Sequence, residues 1–153
     1  MSRRDQIRMN EQELREFLAG GHTVIVTTAG RDGVPHPIPM WYAIEDGGAI
    51  VMTTYAKSQK IKNLRRDRRV SLLVEDGIAY SELRGLVIYG AAELIDDLDA
   101  VTDILVAVSV RQGNVAGEAV RAQMRRTAEK RTGIRVRPEK VVSWDHRKLG
   151  GAY

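Results

Sequence analysis

Thr53-Thr54-Tyr55-Ala56-Lys57-Ser58-Gln59-Lys60 joins two elements of different period. The apolar run Ala49-Ile50-Val51-Met52 before it reads as a strand, and Ile61-Lys62-Asn63-Leu64-Arg65-Arg66 after it reads as a short helix. Hydroxyls, lysines and a helix N-terminus therefore meet at one turn. Free backbone N–H groups and the positive end of the helix dipole suit a phosphate there. Ser58 and Lys60 can add charge-assisted hydrogen bonds, each worth about 1.5–3 kcal/mol. The plainer reading is that Ser58 caps the helix and the lysines are solvated.

Upstream, Glu45-Asp46-Gly47-Gly48 is a turn, and residues 34–44 form a strand that returns from the β-branched run His22-Thr23-Val24-Ile25-Val26-Thr27-Thr28 through Gly30-Arg31-Asp32-Gly33. Asn10 with Glu13 resembles a capping box, so Leu14, Phe17 and Leu18 belong to a helix ending at Gly20-Gly21. Downstream, residues 69–75 read as a strand, 80–83 as an extended piece and 85–94 as a long strand whose glycines imply a bend or bulge. Leu98, Val101, Ile104, Leu105 and Val108 then mark an amphipathic helix over 96–110. A second helix over 115–131 is ended by Gly133, and segments 134–137 and 141–144 are final strands. About six strands, mostly antiparallel, with few and inserted helices predict a mainly β (α+β) fold: a small six-stranded barrel, closed or nearly so, with peripheral helices, in one domain over 1–153.

Three of the four prolines, Pro35, Pro37 and Pro39, alternate along one predicted strand. Alternate residues direct their N–H to the same lateral edge, so these prolines strip donors from one edge only. The donors of His36, Ile38 and Met40 point the other way. The stripped edge borders solvent as an aggregation guard, or borders a flat ligand. His36, Ile38, Met40 and Tyr42 share one face, while the prolines and Trp41 share the other.

The chain has 153 residues, 43% of them hydrophobic, and no apolar run long enough to span a bilayer. Residues 1–10 are polar and charged, without a signal-peptide core, so a cytoplasmic setting is expected. With no cysteine, disulfides, thiolate metal sites and cysteine nucleophiles are excluded, and no metal-ligand spacing stands out. A net charge of +4 favours an anionic partner. One phenylalanine, two tryptophans and no helix-turn-helix or zinc-finger pattern argue against nucleic acid and for a small anionic cofactor.

Taken together, His36-Pro37-Ile38-Pro39-Met40-Trp41-Tyr42, the turn with its helix through Leu64, Asp67-Arg68-Arg69-Val70-Ser71-Leu72, and the ending from Pro138 to Gly151 resemble the split β-barrel superfamily of pyridoxamine 5′-phosphate oxidase. They are most similar to its flavin/deazaflavin oxidoreductase group B branch. The resemblance implies an FMN-binding type of split barrel and a homodimer with two cofactor sites at the interface. It implies that His36, Pro37, Ile38, Pro39, Met40 and Trp41 run beside the cofactor ring. Thr53 and Thr54 would contact the ring or ribityl chain, and Lys57, Ser58 and Lys60 would hold the phosphate. The oxidase has arginine where Gln59 stands. Coenzyme F420, with a phosphodiester and an oligoglutamate tail suited to Lys57, Lys62, Arg65 and Arg66, is the implied cofactor, with FMN the alternative. The implied activity is hydride transfer to a small unsaturated or quinone-like acceptor. An FMN-dependent oxidoreductase and a non-enzymatic flavin or haem binder are the competing readings. His36 is the candidate proton donor. Trp144 and Tyr42 are either pocket walls or core, and Asp145 is expected to pair with an arginine.

Overall fold

Buried Val24, Val26 and Thr28 alternate along β1 (Thr23–Ala29), the period of two that a strand with one covered face requires. In the computed structural model, β1 pairs antiparallel with β2 (Pro35–Trp41), setting Thr28 opposite His36 and Ile25 opposite Pro39. Residues 2–151 are described; residues 1, 152 and 153 of the expected domain lie outside the described residues. The capping box is formed: Asn10 Oδ1 accepts from the Glu13 N–H and Glu13 Oε2 from the Asn10 N–H, opening α2 (Glu11–Gly20). A single-turn helix, α1 (Arg3–Gln6), precedes it.

The remaining strands are β3 (Ala43–Ile44), β4 (Ile50–Tyr55), β5 (Arg69–Asp76), β6 (Arg84–Ile95), β7 (Arg131–Val136) and β8 (Lys140–Asp145), and the remaining helices are α3 (Gln59–Arg66), α4 (Leu98–Arg111) and α5 (Glu118–Ala128). All strand pairings are antiparallel, in the order β2-β1-β5-β6-β7-β4-β3, with β8 added to β6. The mainly β split-barrel architecture thus holds, but the described residues contain eight strands rather than six. Tyr42 interrupts the expected 34–44 strand, and its ring turns into the core while β3 pairs with β4. The expected extended piece at 80–83 is a 3-10 turn, Tyr80–Glu82.

Strand β6 bends as its glycines suggest. Its first part pairs with β8 on the edge opposite β5, and Ala92 to Ile95 pair with β7. At Gly90 a β-carbon would lie 2.7 Å from the Arg137 carbonyl oxygen, so only glycine permits this crossing. Gly133 does not end a helix: α5 stops at Ala128, and Gly133 lies within β7. A β-carbon there would meet Ile104 Cδ1 at 2.9 Å, so glycine lets α4 seat closely on the sheet.

The main core contains Val24, Tyr42, Met52, Leu72, Ile88 and Ile134, all at most 1% exposed. Helix α3 buries Ile61 and Leu64 in that core and packs against β1 and β6. A second cluster joins Val101, Ile104 and Val108 of α4 to Val51 and Ala128. No helix among the described residues is long and apolar enough to cross a membrane.

Candidate functional site

Strand β4 delivers Thr53 and Thr54 to the entrance of α3, and the Ser58 N–H donates to the Tyr55 carbonyl at 2.9 Å to close the turn. Ser58 occupies the N-cap position with extended backbone, as a capping serine does, yet its side chain makes no cap hydrogen bond. Its Oγ is buried without a partner. The first turn of α3 contains no acidic residue to offset the helix dipole.

Lys60 folds back over this turn, and its Nζ donates to Thr54 Oγ1 at 2.9 Å. Burial, reinforced by the charge of Arg131, holds the Lys60 ammonium below the usual lysine range. Thr54 is buried, Thr53 and Lys60 are half-buried, and Lys57 is exposed. Sequence reading missed Arg131, which it left at the end of a helix. In β7 it stands opposite Tyr55, with its guanidinium carbon 4.7 Å from the ring centroid. No carboxylate among the described residues pairs with Lys60 or Arg131.

A polar chain links α3 to β2. Gln59 Nε2 donates to Asn63 Oδ1 at 2.9 Å, and Asn63 Nδ2 donates to Thr28 Oγ1 at 3.0 Å. Thr28 faces His36 across the β1–β2 ladder, and His36 Nδ1 is buried without a partner. Asn63 is wholly buried, between Ile61 and Leu64 in sequence; a polar residue set among the helix's buried positions was the available signal for it. A cleft of ≈ 500 Å³ is lined by Pro35, His36, Gln59 and Asn63, among others. Gln59 also borders a cleft of ≈ 670 Å³ lined by Arg31, Lys62, Arg65 and Arg66. Arg65 there shares Asp96, and Arg66 donates to the Ala29 carbonyl.

Among the described residues strand β2 pairs with β1 alone, so its proline edge is open. Pro35, Pro37, Pro39 and Trp41 are exposed, whereas His36, Ile38 and Met40 are half-buried and Met40 packs on the core. The structure thus brings His36 to Gln59, and Lys60 to Thr54. Pro37, Ile38, Pro39, Met40 and Trp41 lie along β2, and Lys57, within the turn itself, is exposed. Tyr42 is core: its hydroxyl donates to the Leu18 carbonyl at 2.6 Å, and Arg111 covers its ring. Half-buried Trp144 crosses β6 where Gly85 leaves room. Asp145 pairs with Arg147, which holds its carboxyl below the usual range. A separate cleft of ≈ 360 Å³ lies beside Phe17, and its cations are matched: Arg84 with Asp76, Arg147 with Asp145.

The antiparallel split barrel formed by these strands is a fold of the flavin-binding, pyridoxamine 5′-phosphate oxidase type. The chain belongs to the pyridoxamine 5′-phosphate oxidase family, whose model matches residues 11–145. A conserved hypothetical protein of Mycobacterium tuberculosis is 40% identical over 100% of this chain and 95% of its own, with a TM-score of 0.92. A structure described as F420 reductase is 24% identical, covering 83% of this chain and 94% of its own, with a TM-score of 0.63. The heme storage protein HutZ of Vibrio cholerae is 16% identical, covering 87% and 94%, with a TM-score of 0.68. These last two show the fold alone. No protein of curated function matches the sequence.

Proposed function

We propose that this chain is a coenzyme F420-dependent oxidoreductase that works as a homodimer and reduces a small unsaturated or quinone-like acceptor. The observation that carries the reading is a set of cations around α3. Lys60 and Arg131 have no carboxylate partner among the described residues, and Gln59, next to Lys60 in sequence, borders the cleft lined by Arg31, Lys62, Arg66 and the Asp96-paired Arg65. A cofactor ending at a phosphate occupies the corner only; one continuing into several carboxylates uses the basic cleft as well. The F420 reductase of similar fold supports the same choice.

When bound, such a cofactor supplies a hydride from the carbon that replaces N5 of a flavin. Lys60, Ser58 and the first turn of α3 hold the phosphate, with Thr53 and Thr54 beside the adjoining chain. The carbonyls of Pro35, Pro37 and Pro39 face the open edge of β2 and can accept from a ring N–H, while Trp41 can cover its face. His36, with Nδ1 free, can hold or move a proton beside the ring. FMN is the competing ligand, and fluorescence titration with both cofactors distinguishes them: F420 is expected to bind more tightly, and tighter FMN binding would overturn the choice. A carrier, unlike an oxidoreductase, would bind yet leave quinone or enone acceptors unreduced.

A further inference from the structure

We propose that Arg131 is a phosphate-binding residue of this site, supplying from β7 a second cation to the corner that Lys60 occupies. The proposal rests on the reading that the site takes a phosphorylated cofactor. The backbone places the two segments side by side. The Ala56 N–H donates to the Lys130 carbonyl at 3.0 Å, one residue before Arg131, and the β4–β7 ladder sets Tyr55 opposite Arg131.

Arg131 is held but not satisfied. Its guanidinium lies over the Tyr55 ring, and Nη1 reaches the Thr53 carbonyl only at the 3.5 Å limit of hydrogen bonding. Its Nε is buried with no partner. A fork-shaped cation left with an unused buried N–H suits an oxyanion, which accepts two parallel hydrogen bonds. Ser58 Oγ, at the same turn, is buried and unpartnered too. Two like charges near each other, neither paired with a carboxylate among the described residues, repel until an anion arrives, and the lowered pKa of Lys60 reports its burial and, after it, that repulsion. Gln59 is neutral and its amide is engaged by Asn63, so position 59 supplies no cation to the corner, and Lys57 in the same turn is exposed.

The test compares FMN with riboflavin, which lacks the phosphate, by fluorescence titration of the wild type, Arg131→Gln and Arg131→Lys. Arg131→Gln should weaken FMN binding about tenfold, the loss of roughly one charge-assisted hydrogen bond. Riboflavin binding should stay unchanged, and Arg131→Lys should recover part of the FMN affinity. Unchanged FMN affinity, or equal losses for FMN and riboflavin, would make Arg131 a packing residue and overturn the proposal. Preference between F420 and FMN does not enter this comparison, so the cofactor choice above can fail while Arg131 stands. If the wild type binds neither ring, inorganic pyrophosphate becomes the ligand: a rise in Tm lost in Arg131→Gln supports the assignment. An equal rise in both proteins, or none in either, sinks it.

Discussion

Replacing Lys60 with alanine separates cofactor binding from stability. In the folded chain the ammonium makes one hydrogen bond, to Thr54 Oγ1 at 2.9 Å, which contributes about 1 kcal/mol. Against this stand its desolvation and the repulsion of Arg131, both of which disfavour the charge. The two effects oppose, so the net stability change should lie within about 1 kcal/mol. For a domain of this size that is about 2–4 °C in Tm. Binding has no such offset, because the phosphate loses a charge-assisted hydrogen bond worth about 1.5–3 kcal/mol, and affinity should fall roughly ten- to a hundredfold. Fluorescence titration with F420 beside a thermal melt reads both quantities. An unchanged dissociation constant would refute the reasoning, as would a fall in Tm well beyond this range.

The depressed Lys60 pKa gives cofactor affinity a pH dependence. Native Lys60 loses its proton below the ordinary 10.5, so affinity should decline as pH rises toward that value, while the cost of the buried charge to the fold is relieved over the same window. Lys60→Arg should abolish the early decline in a titration series from neutral pH upward. Tyr42→Phe removes a buried hydroxyl, but the Leu18 carbonyl keeps its contact with Arg111 Nη2 at 3.1 Å; the loss should be only about 1 kcal/mol, read from the urea midpoint. Asp145→Asn weakens the pairing with Arg147 and should cost about 1–3 kcal/mol near neutral pH. Because the native carboxyl titrates below the ordinary 3.8, its contribution is complete above that value and is lost as pH falls through the lower native one, so the two proteins should converge in acid denaturation.

Local features were legible where the physics was local. The Asn10–Glu13 box, the hairpin around Gly30-Arg31-Asp32-Gly33 and the proline-stripped edge each depend on neighbours in sequence, and each appears as expected. One of the two uncounted strands arose at Tyr42, since the sequence pattern does not mark where a side chain leaves the ladder for the core. Gly133 misled because a glycine serving close packing against Ile104 looks the same as one ending a helix. At the site, the β4–α3 turn was visible as a motif, but Arg131 was not. Its position depends on the register of β7 against β4, which pairs residues far apart in the chain. The unsatisfied Ser58 hydroxyl was equally hidden, because sequence shows a capping residue and not whether its cap bond forms.

The most direct measurement is a crystal structure of the protein with F420 bound. The account predicts the phosphate within hydrogen-bonding reach of Lys60 and Ser58, the ring along Pro37 to Trp41, and the tail toward Lys62 and Arg31. A cofactor seated instead in the cleft beside Phe17 and Arg84, with the Lys60 turn untouched, would contradict it.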